Sequence, residues 1–402
     1  MTDHMKNADK KAYEHKIKIA VAADIHYLSP SLMENNGLFS RLVVSNDAKT
    51  VEYGDALTDA FFHEIAQMRP DALIIAGDLS FNGEKESHLR LAKKLKPIKD
   101  AGICVLVTTG NHDISNKKAF SFSGTHVTET GSVTSGGFID IYGDFGYGGA
   151  KSRDAASLSY TFDLCGTLIV MLDANSPACP CGVSLDTLSW LEAKLFDARR
   201  NGMRIIAVGH QNLFRHSIFD KGYVIKNAAA LYELFEKYGV RLFLSGHMHI
   251  QHILTKGGVT EIATSALPVG ACQYGVVTLD GDELCYTTRR ADVSSWALSQ
   301  KMSDKNLLSF ADYARRRMDE KTALQTTKEL SDKPFSSDEK RAMISYAQEA
   351  NFAYFSGDLR SLEDRDPNGR LGALWERSGT FTGRYLSSVR KEAGRDHTRF
   401  AL

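Results

Sequence analysis

Five short segments of this sequence gather Asp, Asn and His at a density that points to metal chemistry. They are Asp24-Ile25-His26, Gly77-Asp78, Gly110-Asn111-His112-Asp113, Gly209-His210 and Gly246-His247-Met248-His249. Carboxylates, an amide oxygen and imidazoles make a mixed N/O donor set. Such a set suits Mn, Fe or Zn better than Ca or Mg, which favour all-oxygen shells. Gathered in one crevice without a cation, these groups would repel or go unsatisfied. Taken singly, each has an ordinary reading. Gly77-Asp78 suits a turn with an Asp cap, and Gly209-His210 a hydrogen-bonded histidine. His247 and His249 share one face only if the chain is extended there. Of 13 histidines in the chain, five lie in these segments and need a common explanation. His126, His216 and His252 lie near enough to be outer partners of metal ligands. His4, His15, His63, His88 and His397 read as surface residues.

An alternation of short apolar runs and helix-patterned stretches could position these groups. Residues 17–23, 72–76 and 103–107 read as strands. Leu57, Phe61, Ile65 and Met68 recur at helical spacing, as do Leu89, Ala92, Leu95 and Ile98. This β-α-β-α-β order predicts a mainly parallel sheet covered by helices. Further strands are expected at 157–162, 168–172, 205–208 and 242–244. Helices are expected at 185–200 and 224–238, and hairpins within 250–286. Each chemical segment directly follows an apolar run. In such sheets the carboxyl ends of the strands face a common crevice, where ligands bind. The expected architecture is a layered α/β sandwich of two sheets flanked by helices.

Two regions depart from this rhythm. Residues 115–156 are rich in Gly, Ser and Thr, and a substrate-side loop is expected there. Its aromatics Phe138, Tyr142, Phe145 and Tyr147 are candidates for stacking on a base. After Arg290 the pattern turns helical, with helices expected around 307–317, 338–355 (N-capped by Ser337) and 371–391. The expected division is a catalytic domain over 1–290 and a helical domain or cap over 291–402.

Lys plus Arg and Asp plus Glu each number 49 in 402 residues, so the net charge is zero. That balance argues against a nucleic-acid polymer or an anionic membrane as partner. No apolar run approaches the roughly 18 residues of a membrane span. The polar opening lacks the apolar core of a secretory signal, so a cytoplasmic protein is expected. Cys179 and Cys181 are too close together for the usual zinc spacing.

In their order, the motifs Asp-x-His, Gly-Asp, Gly-Asn-His-Asp, Gly-His and Gly-His-x-His resemble those of the calcineurin-like metallophosphoesterases. The resemblance covers about the first 290 residues. It implies a four-layer α/β/β/α sandwich of two mixed sheets, with a dinuclear metal centre at its edge. It further implies that Asp24, His26 and His249 bind one metal, that Asn111, His210 and His247 bind the other, and that Asp78 bridges both. His112 would contact the phosphoryl oxygen or protonate the leaving group. Asp113 would orient His112 or a ligating histidine; a helix N-cap is the equal alternative. The implied cofactors are two divalent or mixed-valence ions of Mn, Fe or Zn. Two metals about 3.5–4 Å apart can activate a shared water for attack on phosphorus.

Departures from related patterns narrow the substrate. Phosphoprotein phosphatases carry Gly-Asp-x-Val-Asp-Arg-Gly, whereas this chain reads Gly77-Asp78-Leu79-Ser80-Phe81-Asn82-Gly83. Phe81 stands where an Asp would support the catalytic histidine, and Asn82 where an Arg would grip phosphate. The Tyr ligand of purple acid phosphatases is missing too. Glu84 completes a form similar to the bacterial class III cyclic nucleotide phosphodiesterases. The expected activity is hydrolysis of phosphodiesters in cyclic nucleotides or similar small nucleotides. A phosphomonoesterase acting on a small metabolite and a non-catalytic metal-bound scaffold are the alternatives. The expected partner is a small phosphoester, and a homodimer is compatible with the sequence.

Overall fold

The structure, a computed structural model, describes residues 16–219 and 222–402. Its strands in chain order are β1 (Ile17–Ala22), β2 (Ala72–Ala76), β3 (Cys104–Thr108), β4 (Phe120–Ser121), β5 (Thr128–Glu129), β6 (Ser152–Arg153), β7 (Tyr160–Leu164), β8 (Thr167–Met171), β9 (Arg204–Val208), β10 (Leu242–Ser245), β11 (His252–Lys256), β12 (Val259–Ala263), β13 (Gln273–Asp280), β14 (Glu283–Arg290) and β15 (Arg399–Ala401). One sheet has the order β15-β14-β13-β1-β2-β3 and the other β11-β12-β10-β9-β8-β7-β6. Strands β4 and β5 form a separate hairpin. Both large sheets are mixed. β1, β2 and β3 run parallel while β13 pairs with β1 antiparallel. β8, β9, β10 and β12 run parallel, flanked by antiparallel β7 and β11.

Side chains alternate between the two faces of a strand, and this sorts the layers. Ile169, Met171, Ile206, Val208, Leu242 and Leu244 enter a core shared with the first sheet. Their neighbours Leu168, Val170, Ile205, Ala207 and Phe243 face outward. They pack on Leu191 and Leu195 of the helix Leu185–Arg200, and on Leu231 and Phe235 of the helix Ala228–Tyr238. On the other side, helices Gly54–Met68 and Lys85–Asp100 bury Phe61, Ile65, Leu91 and Leu95 against the first sheet. The result is the expected α/β/β/α sandwich. Among the described residues, no helix is long and apolar enough to cross a membrane.

The segment 115–156 differs from expectation. It contains the β4-β5 hairpin and a helix, Ser135–Tyr142, capped by Thr134. Phe138, Tyr142, Phe145 and Tyr147 are buried in the main core. Their rings pack on one another and on Tyr160, at centroid distances of 4.6 Å for Phe138–Tyr142 and Tyr147–Tyr160. All four rings are taken up by packing within the core. His88 is not a surface residue either. It is fully buried, with Nδ1 2.9 Å from Tyr142 Oη and Nε2 2.9 Å from the Asp113 carbonyl.

Beyond β14 the helices are Val293–Ser299, Lys305–Leu308, Phe310–Leu330, Ser337–Ser356, Arg370–Ser378 and Phe381–Arg390. The cap of Ser337–Ser356 is Ser336, one residue before the expected one, in a reciprocal box with Glu339. The last expected helix is two helices. Gly379 stops the first in a left-handed conformation, and Thr380 starts the second by accepting from Gly383 N. Met343, Tyr346, Leu374, Trp375 and Leu386 form a core of their own, joined by Ile250. The chain then returns as β15 to pair with β14, which the sequence pattern did not announce.

A run of titratable groups links this helical segment to the sandwich. His216 Nε2 lies 2.9 Å from Glu261 Oε2, and its Nδ1 lies 2.9 Å from His252 Nδ1. His252 Nε2 and His397 Nε2 lie 2.7 and 3.1 Å from Glu392 Oε2. His216 and His252 thus serve this junction rather than the metal-type segments. His397, expected on the surface, is buried, and His126 is exposed, near Thr125. His4 and His15 lie outside the described residues.

Burial pushes His252 down to about 4, against the upward pull of Glu392. In the unfolded chain the imidazole titrates near 6.5. Acid therefore protonates the unfolded chain first, and stability falls as pH drops from about 6.5 toward 4. The expected loss from this group is about 2 kcal/mol between pH 7 and pH 5. Denaturant unfolding at the two pH values measures it, and His252→Gln should reduce the difference by that amount. Equal pH dependence in both proteins would refute the assignment.

Candidate metal centre

The five segments leave their strands at one edge. Asp24 and His26 follow β1, Asp78 follows β2, Asn111 and His112 follow β3, His210 follows β9, and His247 and His249 follow β10. Backbone bonds tie the turns together. Asp24 N and His26 N donate to Gly77 O and Asp78 O at 3.0 and 2.9 Å, and Gly246 N donates to His210 O at 3.0 Å. Five of these residues have left-handed backbones: Asp24 (φ 54°), His26 (46°), Asp78 (49°), His247 (71°) and His249 (60°). Non-glycine residues rarely adopt that region, and where they do the strain clusters at functional sites. The glycines beside them leave room. A Cβ on Gly110 would collide with Asp78 Oδ1, and one on Gly246 with Asp24 Oδ2.

The side chains converge in three overlapping groups, Asp24/His26/His249, His26/Asp78/His112 and Asp78/His210/His247, with ligand-type atoms within 4.8 Å of one another in each. Asp24 Oδ1 lies 3.3 Å from His249 Nε2 and 3.8 Å from His26 Nε2. His26 Nε2 and His249 Nε2 are 3.1 Å apart. Asp78 Oδ2 lies 3.2 Å from His210 Nε2 and 3.7 Å from His26 Nε2. Asn111 Oδ1 joins the Asp78/His210/His247 group, 3.1 Å from His210 Nε2.

This donor set fits a pair of cations. Asp24 Oδ1 is buried and has no hydrogen-bond partner, yet three imidazole nitrogens surround it within 4.0 Å. His210 Nδ1–H donates to Ala76 O at 2.9 Å, which turns Nε2 toward Asp78. His247 Nε2–H donates to Gly222 O at 3.1 Å, which leaves Nδ1 for an ion. Such bonds fix the tautomer of a ligating imidazole. Burial works against ionised Asp78, but His210, His112 and His26 outweigh it and hold the carboxyl well below its usual range. Burial would lower His210, yet Asp78 and Asp24 raise it to about 10. The acid pair thus creates a demand for positive charge that a metal ion satisfies.

His112 stands beside this set, with Nε2 3.9 Å from Asp78 Oδ2. Its Nδ1 lies 2.9 Å from both Phe81 O and Asn82 Oδ1. A main-chain carbonyl and an amide oxygen therefore hold the ring at Nδ1. Burial lowers its basicity and Asp78 raises it, with a net downward shift.

The structure places Asp113 beneath the turns. Its carboxylate is fully buried and accepts from Leu79 N, Ser80 N, Ser80 Oγ and Gly110 N, at 2.7 to 3.2 Å. It neither touches the His112 ring nor caps a helix. Its bonds join the Asp78 turn to the Asn111-His112 turn.

Sequence reasoning missed Lys49. This buried lysine exerts its charge on His26 and His112 and feels that of Asp78 and Asp24. No motif marks it.

Residues 17–251 match the family model described as calcineurin-like phosphoesterase, and residues 292–396 match the C-terminal domain of cyclic nucleotide phosphodiesterase. No curated protein sequence matches the chain. A dimetal phosphatase from Danio rerio is similar in structure, with TM-score 0.51 and 14% identity, over 68% of this chain and 96% of that one. GAP50, the anchor in the inner membrane complex of Plasmodium, gives TM-score 0.41 and 11% identity, over 69% of this chain and 85% of that one. Family match, fold and clustered donors together define a metal-dependent phosphoric ester hydrolase. The chain belongs to the calcineurin-like phosphoesterase family.

Proposed function

We propose that the protein is a dinuclear phosphodiesterase acting on cyclic nucleotides or similar small nucleotides. In this reading Asp24, His26 and His249 hold one ion, Asn111, His210 and His247 hold the other, and Asp78 joins the two. The observation that carries it is the convergence of these groups around the partnerless Asp24 Oδ1. Two bound ions of Mn, Fe or Zn supply Lewis-acid polarisation of the phosphoryl group and a more acidic water.

The protein's own side chains supply the rest. His112, its ring steadied by Phe81 O and Asn82 Oδ1, presents Nε2 toward the oxygen that gains charge as the ester bond breaks. A donor there supplies a proton or a hydrogen bond to that oxygen. Asp113 keeps the His112 turn in register with Asp78.

Two observations favour a nucleotide. The helical segment matches a domain described from cyclic nucleotide phosphodiesterase. A cavity of about 260 Å³ lies between that segment and the loop preceding Lys49, lined by Asp47, Ala48, Phe219, Asn351, Phe381 and Tyr385. Phe219 stacks there on Phe381 and Tyr385, and this aromatic wall with the polar Asp47 and Asn351 suits a ligand of nucleotide type. On this reading residues 291–402 act as a cap on the 1–290 catalytic unit. Six unpaired cysteines accord with the reducing cytoplasm.

The test is a substrate screen with Mn, Fe, Zn or Mg returned to metal-stripped protein. Cyclic nucleotides should be hydrolysed faster than nucleoside monophosphates, and bis-p-nitrophenyl phosphate faster than p-nitrophenyl phosphate at equal metal loading. The reverse order would favour a phosphomonoesterase. A metal-loaded protein inert on every phosphoester would overturn the proposal.

A further inference from the structure

Lys49 is buried with little to pair with. It is 6% exposed, and among the described residues the one carboxylate within 4 Å of its ammonium, that of Asp47, is 3.9 Å away and 81% exposed. A buried ammonium without a close counter-charge is costly, so such groups are normally paired. The backbone around it is firmly placed. Thr50 N and Oγ1 donate to Pro268 O at 2.9 and 3.2 Å. Leu267 N donates to Ala23 O at 3.3 Å, and Ala266 bridges Ala23. Lys49 is thereby fastened to the strand end that carries Asp24. Its charge acts on His26 and His112 and feels that of Asp24 and Asp78, groups carried by three separate turns.

Asp24 and Asp78 cannot be the lasting partners of this charge if they hold metal. Two carboxylates do not neutralise two divalent ions, and a third cation beside them is unfavourable until another anion arrives. Asn82 brings no charge, and its side-chain oxygen is turned to His112. A phosphoryl group supplies the missing anion through its non-bridging oxygens. We propose that Lys49 binds a non-bridging phosphoryl oxygen of the substrate. The proposal rests on the phosphoesterase reading above and adds a binding residue to it.

The experiment compares wild type, Lys49→Met and Lys49→Arg as full chains loaded with Mn. It reads metal content by elemental analysis, affinity for inorganic phosphate by calorimetry, and KM and kcat on bis-p-nitrophenyl phosphate. Lys49→Met should keep both ions and bind phosphate about tenfold to a hundredfold more weakly, the usual effect of losing a charged hydrogen bond. KM should rise in the same direction, and Lys49→Arg should recover most of the phosphate affinity. If methionine prevents folding, Lys49→Gln carries the same comparison. Unchanged phosphate affinity in an active, folded variant overturns the role of Lys49 alone. Loss of metal from Lys49→Met overturns it too, by making the lysine part of the centre's framework. Wild-type protein that binds Mn but neither binds phosphate nor hydrolyses any ester overturns the phosphoesterase reading together with Lys49.

Discussion

His112→Ala should lower kcat by about two to four orders of magnitude while the metal content stays at the wild-type level. The ring is held at Nδ1 by Phe81 O and Asn82 Oδ1, so Nε2 is free and its direction fixed. It stands 3.9 Å from Asp78 Oδ2, at the rim of the donor set. The link between His112 and the centre is main-chain: its N–H donates to Asp78 Oδ1 at 2.9 Å, and alanine keeps that bond. His112 also falls in a possible ligand group with His26 and Asp78, so the metal count decides between the two roles. Elemental analysis and turnover measured on one preparation give the answer. Full activity would remove the catalytic role, and a lost ion would make His112 a ligand.

Asp78→Ala should lose both. Its Oδ2 lies within 4 Å of His26, His112 and His210, which come from three different strand ends. Its Oδ1 also holds the His112 turn. Without the carboxylate, two cations would face each other with little between them. Occupancy should fall below two ions per chain, and phosphodiester turnover should drop by more than about a thousandfold. A variant that retains two tightly held ions would refute the bridging role.

The sandwich and the ligand-type residues were legible because both are written in local pattern. Alternating apolar residues such as Ile169, Val170 and Met171 specify two buried faces, and the chemical groups sit where those strands end. Other features depended on distant partners. Asp113 reads as an orienting acid or a cap, but three of its four partners, Leu79 N, Ser80 N and Ser80 Oγ, belong to another turn, which sequence does not display. Lys49 is buried beside Thr50, which bonds Pro268, 218 residues away. His88 sits on a helix whose pattern looks exposed until Tyr142 folds over it. The Gly- and Ser-rich composition of 115–156 hid a helix whose aromatic face belongs to the core.

The pairing of β15 with β14 makes the helical segment an insertion into one margin of a sheet rather than a tail. As the ribosome delivers the chain, β14 emerges with one side open and keeps it open until every later helix has been synthesised. Unpaired strand margins recruit foreign strands. The charged Glu283, Arg289 and Arg290 blunt this one during the wait. Newborn chains that stall before Arg399–Ala401 would therefore risk sticking to each other along β14.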